Sequence, residues 1–167
     1  QILSAWDNAI ELKNNLLEMK EEQKKGLMQN LLTGKVRISG FSSEWKEVKL
    51  CEVSQLKNGY AFKSKSYYKN GKYKIITISN VTGNKYINGS DCNHINELPS
   101  DIQEHQIIKD NDILISLTGN VGRVSYNIGK NNLLNQRVGL LEITSNTIFK
   151  EFLFQILNNK RFEKEMN

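Results

Sequence analysis

The first 33 residues hold no proline, and Ile2, Ala5, Ala9, Leu12, Leu16 and Met19 recur at alternating spacings of three and four. That pattern is the seam of a coiled coil and confines the segment to one long helix. Gln23 and Gly26 continue the register more weakly, and a second row, Leu3, Ile10, Leu17 and Leu31, runs beside it. The apolar stripe is therefore wider than a two-stranded seam requires. Ser4, with Asp7 three residues on, suits an N-terminal cap, and Gly34 suits the position just past the last turn. Glu21 and Glu22 precede Lys24 and Lys25 at helix-pair spacing on the polar side. A helix of this length spans roughly 50 Å at about 1.5 Å per residue. A small domain is narrower than that, so part of the stripe needs a partner beyond its own globule. The alternative is a helix lying across its own domain; the expectation is a protruding spacer or dimerisation arm over residues 1–40.

Beyond residue 40 the texture changes to short β-like runs separated by Gly and Asn turns. Strands are expected at 45–50, 73–78, 112–117, 122–126 and 138–143, and a helix at 150–166. Turn signals fall at Asn58-Gly59, Asn70-Gly71, Thr82-Gly83-Asn84, Asn88-Gly89 and Thr118-Gly119-Asn120. The fold class that follows is α+β. A long coiled-coil-type helix precedes a mixed, mostly antiparallel, β-rich domain over 41–167 that ends in a helix. The chain opens on Gln inside a helix and stops without a terminator, so a piece of a longer protein is expected.

Charge gives the first pointer to a partner. The chain carries a formal net charge of +5, and 17 of its Lys/Arg against 13 of its Asp/Glu lie beyond residue 40. Residues 53–90 hold seven lysines and five of the six tyrosines without one Asp or Glu. A second acid-free run, 113–141, holds Arg123, Lys130 and Arg137 among Thr118, Asn120, Asn135 and Gln136. Lysines neutralise phosphates and release counterions, while tyrosines such as Tyr67 offer hydroxyl donors and flat faces. A solvated lysine-rich surface fits the charge alone equally well.

No constellation for chemistry emerges. The segment Leu117-Thr-Gly-Asn-Val-Gly-Arg123 is rich in backbone donors and suits a hairpin turn that also cradles an anion. It lacks the Gly-Lys-Ser/Thr of a phosphate-binding loop, and no helix pattern follows it. Asp110 and Asp112 precede a strand without the Glu-x-Lys that a nuclease site needs, and a structural turn is the better reading. Cys51, Cys92, His94 and His105 do not make the four-ligand set of a structural zinc site. No glycine-rich cofactor fingerprint occurs. The only proline, Pro99, rules out the Asn-Pro-Pro or Asp-Pro-Pro signature of base methyltransferases. Neither a cofactor nor a metal is expected, and two isolated cysteines suit reduced thiols in a cytoplasmic protein. No apolar run approaches the ~20 residues of a membrane span.

The order of segments carries the sharper signal. Leu27-Met-Gln-Asn-Leu-Leu-Thr-Gly-Lys-Val-Arg37 ends the helix, and Trp45-Lys-Glu-Val-Lys-Leu50 follows. Lys57-Asn-Gly-Tyr-Ala-Phe62, Tyr73-Lys-Ile-Ile-Thr-Ile-Ser-Asn-Val81, Asp112-Ile-Leu-Ile-Ser-Leu-Thr-Gly-Asn-Val-Gly122 and Asn135-Gln-Arg-Val138 then appear in turn. Together these resemble the specificity subunit of type I restriction–modification enzymes. The resemblance implies a spacer helix and one target-recognition domain, half of a subunit whose two such domains each read half of a bipartite DNA site. It implies no catalysis by the chain itself. The expected partners are double-stranded DNA, type I methyltransferase subunits and, through them, the translocase–nuclease subunit. The chain departs from the family in having one helix–domain unit and no polar Ile-Pro-x-Pro-like segment after it. A half-length chain can pair through its helix with a copy of itself, by way of Ile2, Ala5, Ala9, Leu12, Leu16 and Met19, and read a symmetric site.

In that setting Asn58, Asn120, Asn135, Gln136 and Arg137 suit bidentate readout of base edges in the major groove. Lys57, Lys63, Lys65, Lys85, Arg123 and Lys130 suit phosphates, and Thr118 and Tyr67 lie among them. Two other classes remain open. A coiled-coil adaptor with a basic domain predicts a folded acidic partner and no discrimination among duplexes. A small nuclease or methyltransferase predicts dependence on a divalent metal or methyl donor.

Overall fold

A computed structural model of the chain describes residues 2–167, apart from the Ile2 side chain. The chain divides into two compact units, one ending at Glu47 and one from Val48 to Asn167. In the first unit helix α1 runs from Ile2 to Leu32. Because the helix is already formed at Ile2, Ser4 lies within it and cannot be its cap. Gly34 takes the left-handed conformation, with φ 73°, and donates its amide to the Leu31 carbonyl at 3.2 Å. Leu3, Ile10, Leu12, Leu16, Leu17 and Met19 are all exposed, so both apolar rows lie open over the first part of the helix; Leu31 is half-buried, and the Ile2 side chain expected in the seam lies outside the described residues. Ala5 and Ala9 are exposed as well.

The strand expected at 45–50 does not form. Trp45 lies instead against Gly34, and the Arg37 guanidinium sits 4.6 Å from the indole centroid. Arg37 also donates to the carbonyls of Phe41 and Ser43. The aromatic residue that looked like the start of a strand serves to close the helix exit.

The second unit opens with a helical turn, α2 (Leu50–Val53), and builds two four-stranded sheets. Its strands are β1 (Ser54–Asn58), β2 (Tyr73–Ile76), β3 (Asn93–Ile95), β4 (Ile107–Ile108), β5 (Ile113–Ser116), β6 (Val124–Tyr126), β7 (Asn132–Leu134) and β8 (Val138–Ile143). One sheet has the order β1-β8-β5-β6 and is wholly antiparallel. The other has the order β3-β2-β7-β4, with β2 and β7 parallel.

Side-chain alternation assigns each face. Leu114, Val138 and Leu140 of the first sheet meet Ile76, Leu134 and Ile108 of the second in one cluster. The intervening residues Ile113, Ile115 and Leu141 face the other way, against Leu153, Phe154 and Leu157 of helix α3 (Lys150–Leu157). Ile75 and Leu133 face outward on the second sheet, where Phe62, Tyr67, Tyr73, Leu98 and Ile102 cover them. The inner strands β5, β7 and β8 are thus covered on both faces over most of their length, which is why Ile113–Ile115 and Val138–Leu141 read as uncharged, largely aliphatic runs. Each fully buried aliphatic or Phe side chain contributes on the order of 2 kcal/mol.

The helix expected over 150–166 is broken. It ends at Leu157 and restarts as α4 (Lys160–Met166). At the break Asn159 accepts the Arg161 amide with its side chain at 3.0 Å, which favours a new N-terminus over continuation.

Candidate nucleic-acid interface

The topology gathers one end of both sheets. β1, β2, β5 and β7 all finish there, and β6 and β8 begin there, because Asn58 pairs with Gly139, Ser116 with Val138, and Ile76 with Leu134. Segments separated by up to about 80 positions meet as one surface, as non-local strand pairing allows. Asn58, Thr118, Asn120, Gln136 and Arg137 lie at this end, and all five are exposed.

The turn from β7 to β8 is held rigidly. Tyr60 donates its amide to Leu134 at 2.8 Å and accepts the Gln136 amide at 2.9 Å. Gly59 packs directly on the Asn135 carbonyl, where a Cβ has no room. Asn135 itself is buried, and its side-chain oxygen accepts the Arg137 amide at 3.2 Å. The structure therefore gives Asn135 a fastening role and leaves Gln136 and Arg137 as the presented side chains.

The loop from β5 to β6 is tied at its base. The Ser116 hydroxyl donates to the Asn120 carbonyl and accepts the Arg123 amide at 3.1 Å, while the Gly122 amide reaches the Ser116 carbonyl at 3.0 Å. These bonds occupy two of the loop's amides and leave Thr118, Gly119 and Asn120 projecting as an exposed tip.

The cations divide into paired and open groups. Lys57 is half-buried and lies 3.5 Å from Glu142, and Arg123 donates to Glu163 at 2.9 Å. Lys63 and Lys65 are exposed on the turn after Phe62. Lys85 is exposed along the outer edge of β6, with its ammonium 5.1 Å from the Tyr86 ring. Lys130 is exposed at the opposite end of the sheets, in the turn between β6 and β7. Tyr67 turns inward onto the outer face of the second sheet, and burial raises its phenol above the ordinary range.

Other polar groups serve the frame. Asp112 accepts the Lys109 amide at 2.8 Å and Asp110 the Gly129 amide at 3.0 Å, so both carboxylates hold turns. The buried Asn80 accepts the Thr77 amide and donates to the Asn88 carbonyl, each at 2.8 Å, fixing the turn that follows β2. Among the described residues no group of three or more His, Cys, Asp or Glu is placed to hold a metal ion. Nor, among them, is any helix long and apolar enough to cross a membrane.

Sequence reasoning missed two residues at this end. Tyr60 donates its hydroxyl to Asp101 at 2.7 Å, a bond that raises the phenol's pKa. Glu163 reaches Arg123 from α4 across 40 positions. Neither pairing has a local signal; only the closed topology brings the partners together.

Residues 42–167 match the Type I restriction modification DNA specificity domain family. The chain belongs to that family. Over 185 aligned residues this specificity domain is 31% identical to the Type I restriction enzyme MjaVIII specificity subunit of Methanocaldococcus jannaschii. The alignment covers 100% of the chain and 42% of that protein, so the chain spans about two fifths of its curated relative. In fold it is similar to the HsdS subunit from Thermoanaerobacter tengcongensis, with TM-score 0.62 and 17% identity over 98% of this chain and 39% of that one. It is also similar to the type I restriction–modification S subunit from M. genitalium, with TM-score 0.59 and 18% identity over 98% and 40%. These likenesses carry the long helix and the mixed-sheet domain together.

Proposed function

We propose that the domain recognises a specific half-site in double-stranded DNA and performs no chemistry itself. The observation that carries this reading is the exposed Gln136–Arg137 pair on a rigid turn beside the Thr118–Asn120 tip. Arg offers a bidentate donor pair to guanine, and Gln or Asn offers a donor and an acceptor to adenine. Asn58 stands next to them at the end of β1. Lys63, Lys65 and Lys85 supply phosphate contacts that set register, with Lys130 reaching the backbone from the far end if the duplex runs along the sheets. Lys57, Tyr67 and Asn135 support the surface from within, by ion pairing, packing and fastening. Membership of the specificity-domain family supports the same assignment.

In the assembled system the domain places methyltransferase subunits, and through them the translocase–nuclease subunit, on the target. The open apolar rows of α1 suit pairing with a second helix, and a copy of this chain would create a two-fold assembly reading a mirrored site. A cytoplasmic setting follows from that role. The test is enrichment from a randomised duplex pool at near-physiological salt, with and without a type I methyltransferase subunit. A short enriched motif is the expected result, and a mirrored, spaced pair would show the helix pairing two domains. Recovery of the unselected pool in both arms would overturn the reading.

A further inference from the structure

We propose that Glu163 is a positioning residue for DNA readout, which it serves by holding Arg123 and thereby locking the Thr118–Asn120 tip onto helix α4. The inference rests on the recognition reading above and concerns what sets the shape of one reading loop.

Three independent contacts join α4 to the second half of that loop. Arg123 Nε donates to Glu163 Oε1 at 2.9 Å, with both side chains roughly two-thirds covered. Asn167 donates its side-chain amide to the Val121 carbonyl at 2.9 Å. Gly122, left-handed with φ 83°, lies so close that an added Cβ would stand 2.9 Å from Met166 Cβ. The loop thus passes under the end of α4 through the one residue type that both the backbone angle and the clearance permit.

Helix α4 is itself fixed. Phe162 packs on the cluster formed by α3 and the first sheet, and Asn159 caps the first turn. The chain from Ser116 to Arg123 is therefore pinned on two sides, by the Ser116 hydroxyl beneath and by α4 above. Only its tip is left exposed. Preorganising a reading loop lowers the ordering cost on binding, and the gain falls on the matched site more than on random duplex.

This assignment differs in measurable ways from a role for Arg123 on phosphate. A phosphate contact contributes about 0.9 to the slope of log affinity against log salt, equally for every sequence. A positioning pair leaves that slope alone and changes the ratio of matched-site to random-duplex affinity. The experiment measures that ratio and the salt slope for the chain, for Glu163→Gln, for Arg123→Gln and for the exchanged pair Arg123→Glu with Glu163→Arg. Thermal melts would verify folding.

We expect each single substitution to lower the matched-to-random ratio by about tenfold with the slope unchanged, and the exchanged pair to recover most of it. Arg123→Gln lowering the slope by about one, with Glu163→Gln tightening binding to all duplexes, would overturn the proposal and make Arg123 a phosphate ligand. An unchanged ratio in variants of a chain that still selects a motif would sink this coupling alone. A parent chain that selects no motif would sink the recognition reading with it.

Discussion

Gly59 rests against the carbonyl of Asn135, two residues that strand order places side by side although the sequence separates them widely. The contact fixes where Gln136 and Arg137 emerge. Gly59→Ala would push a methyl group into backbone that cannot retreat, because Tyr60 bonds both Leu134 and Gln136. We expect a loss of about 1–3 kcal/mol in denaturant unfolding, with matched-site binding weakened further than random-duplex binding.

Arg137→Ala removes a presented fork of donors and leaves the turn intact, since Asn135 bonds the Arg137 amide rather than its side chain. The expected outcome is a cost of about 1–3 kcal/mol at the matched site and relaxed preference at one base position. Selection from a randomised pool with the variant tests this. A uniformly weaker but equally selective protein would place Arg137 on phosphate instead.

Lys63 and Lys65 are open to solvent and sequence-neutral in chemistry. Replacing both by Ala should weaken binding to every duplex alike. The salt dependence should flatten by about one for each phosphate that is no longer neutralised. An unaltered salt slope would remove them from the interface.

The open face of α1 gives a prediction about association. Leu16→Glu places a charge in the middle of the seam, where Leu12 and Met19 flank it and all three are exposed in the single chain. If two helices pair there, the variant should be monomeric in light scattering at concentrations where the parent associates. Equal masses for the two proteins would refute pairing through this face.

Tyr126 stacks on Phe154 at 4.0 Å between ring centroids, and its buried hydroxyl has no hydrogen-bond partner among the described residues. Burial chiefly, with Glu151 and Tyr86 adding to it, pushes the phenol up to about 12. A folded-state pKa above the ordinary phenol value contributes stability that is complete below about pH 10 and fades as pH rises towards 12. Tyr126→Phe keeps the stack and removes the unpartnered hydroxyl. It should raise stability at neutral pH by about 1 kcal/mol and make unfolding less steep between pH 10 and 12, as followed by circular dichroism.

Much of this architecture is legible because the inner strands β5 and β8 are buried on both faces over most of their length. The runs Ile113–Ile115 and Val138–Leu141 hold no polar side chain and stand out at once. Strands such as Asn93–Ile95, Ile107–Ile108 and Asn132–Leu134 do not, since two or three residues beginning in Asn or standing alone show no period. β1 was hidden for a different reason. Gln55, Leu56 and Asn58 are exposed on an edge strand, so its alternation carries little apolar contrast. Trp45 misled because an aromatic side chain suits a strand and a helix exit equally. The Asn158-Asn159 pair did carry a signal for the broken helix, and capping chemistry explains it after the fact. For the candidate interface, the residue types were readable from acid-free stretches. Which of them face outward depended on partners such as Glu142 and Glu163, brought in from elsewhere in the chain.

The register of β1 has a consequence for how the protein is made. Ser54 finds its ladder partner in Ile143, about 90 positions later. A ribosome therefore releases β1 long before the strand that completes it exists. Local pieces such as the β5–β6 hairpin can form early, but the sheet that frames the candidate interface closes only when β8 emerges. Folding is consequently late and slow for a domain of this size. β8, the latest in chain order of the four strands in its sheet, acts as the keystone.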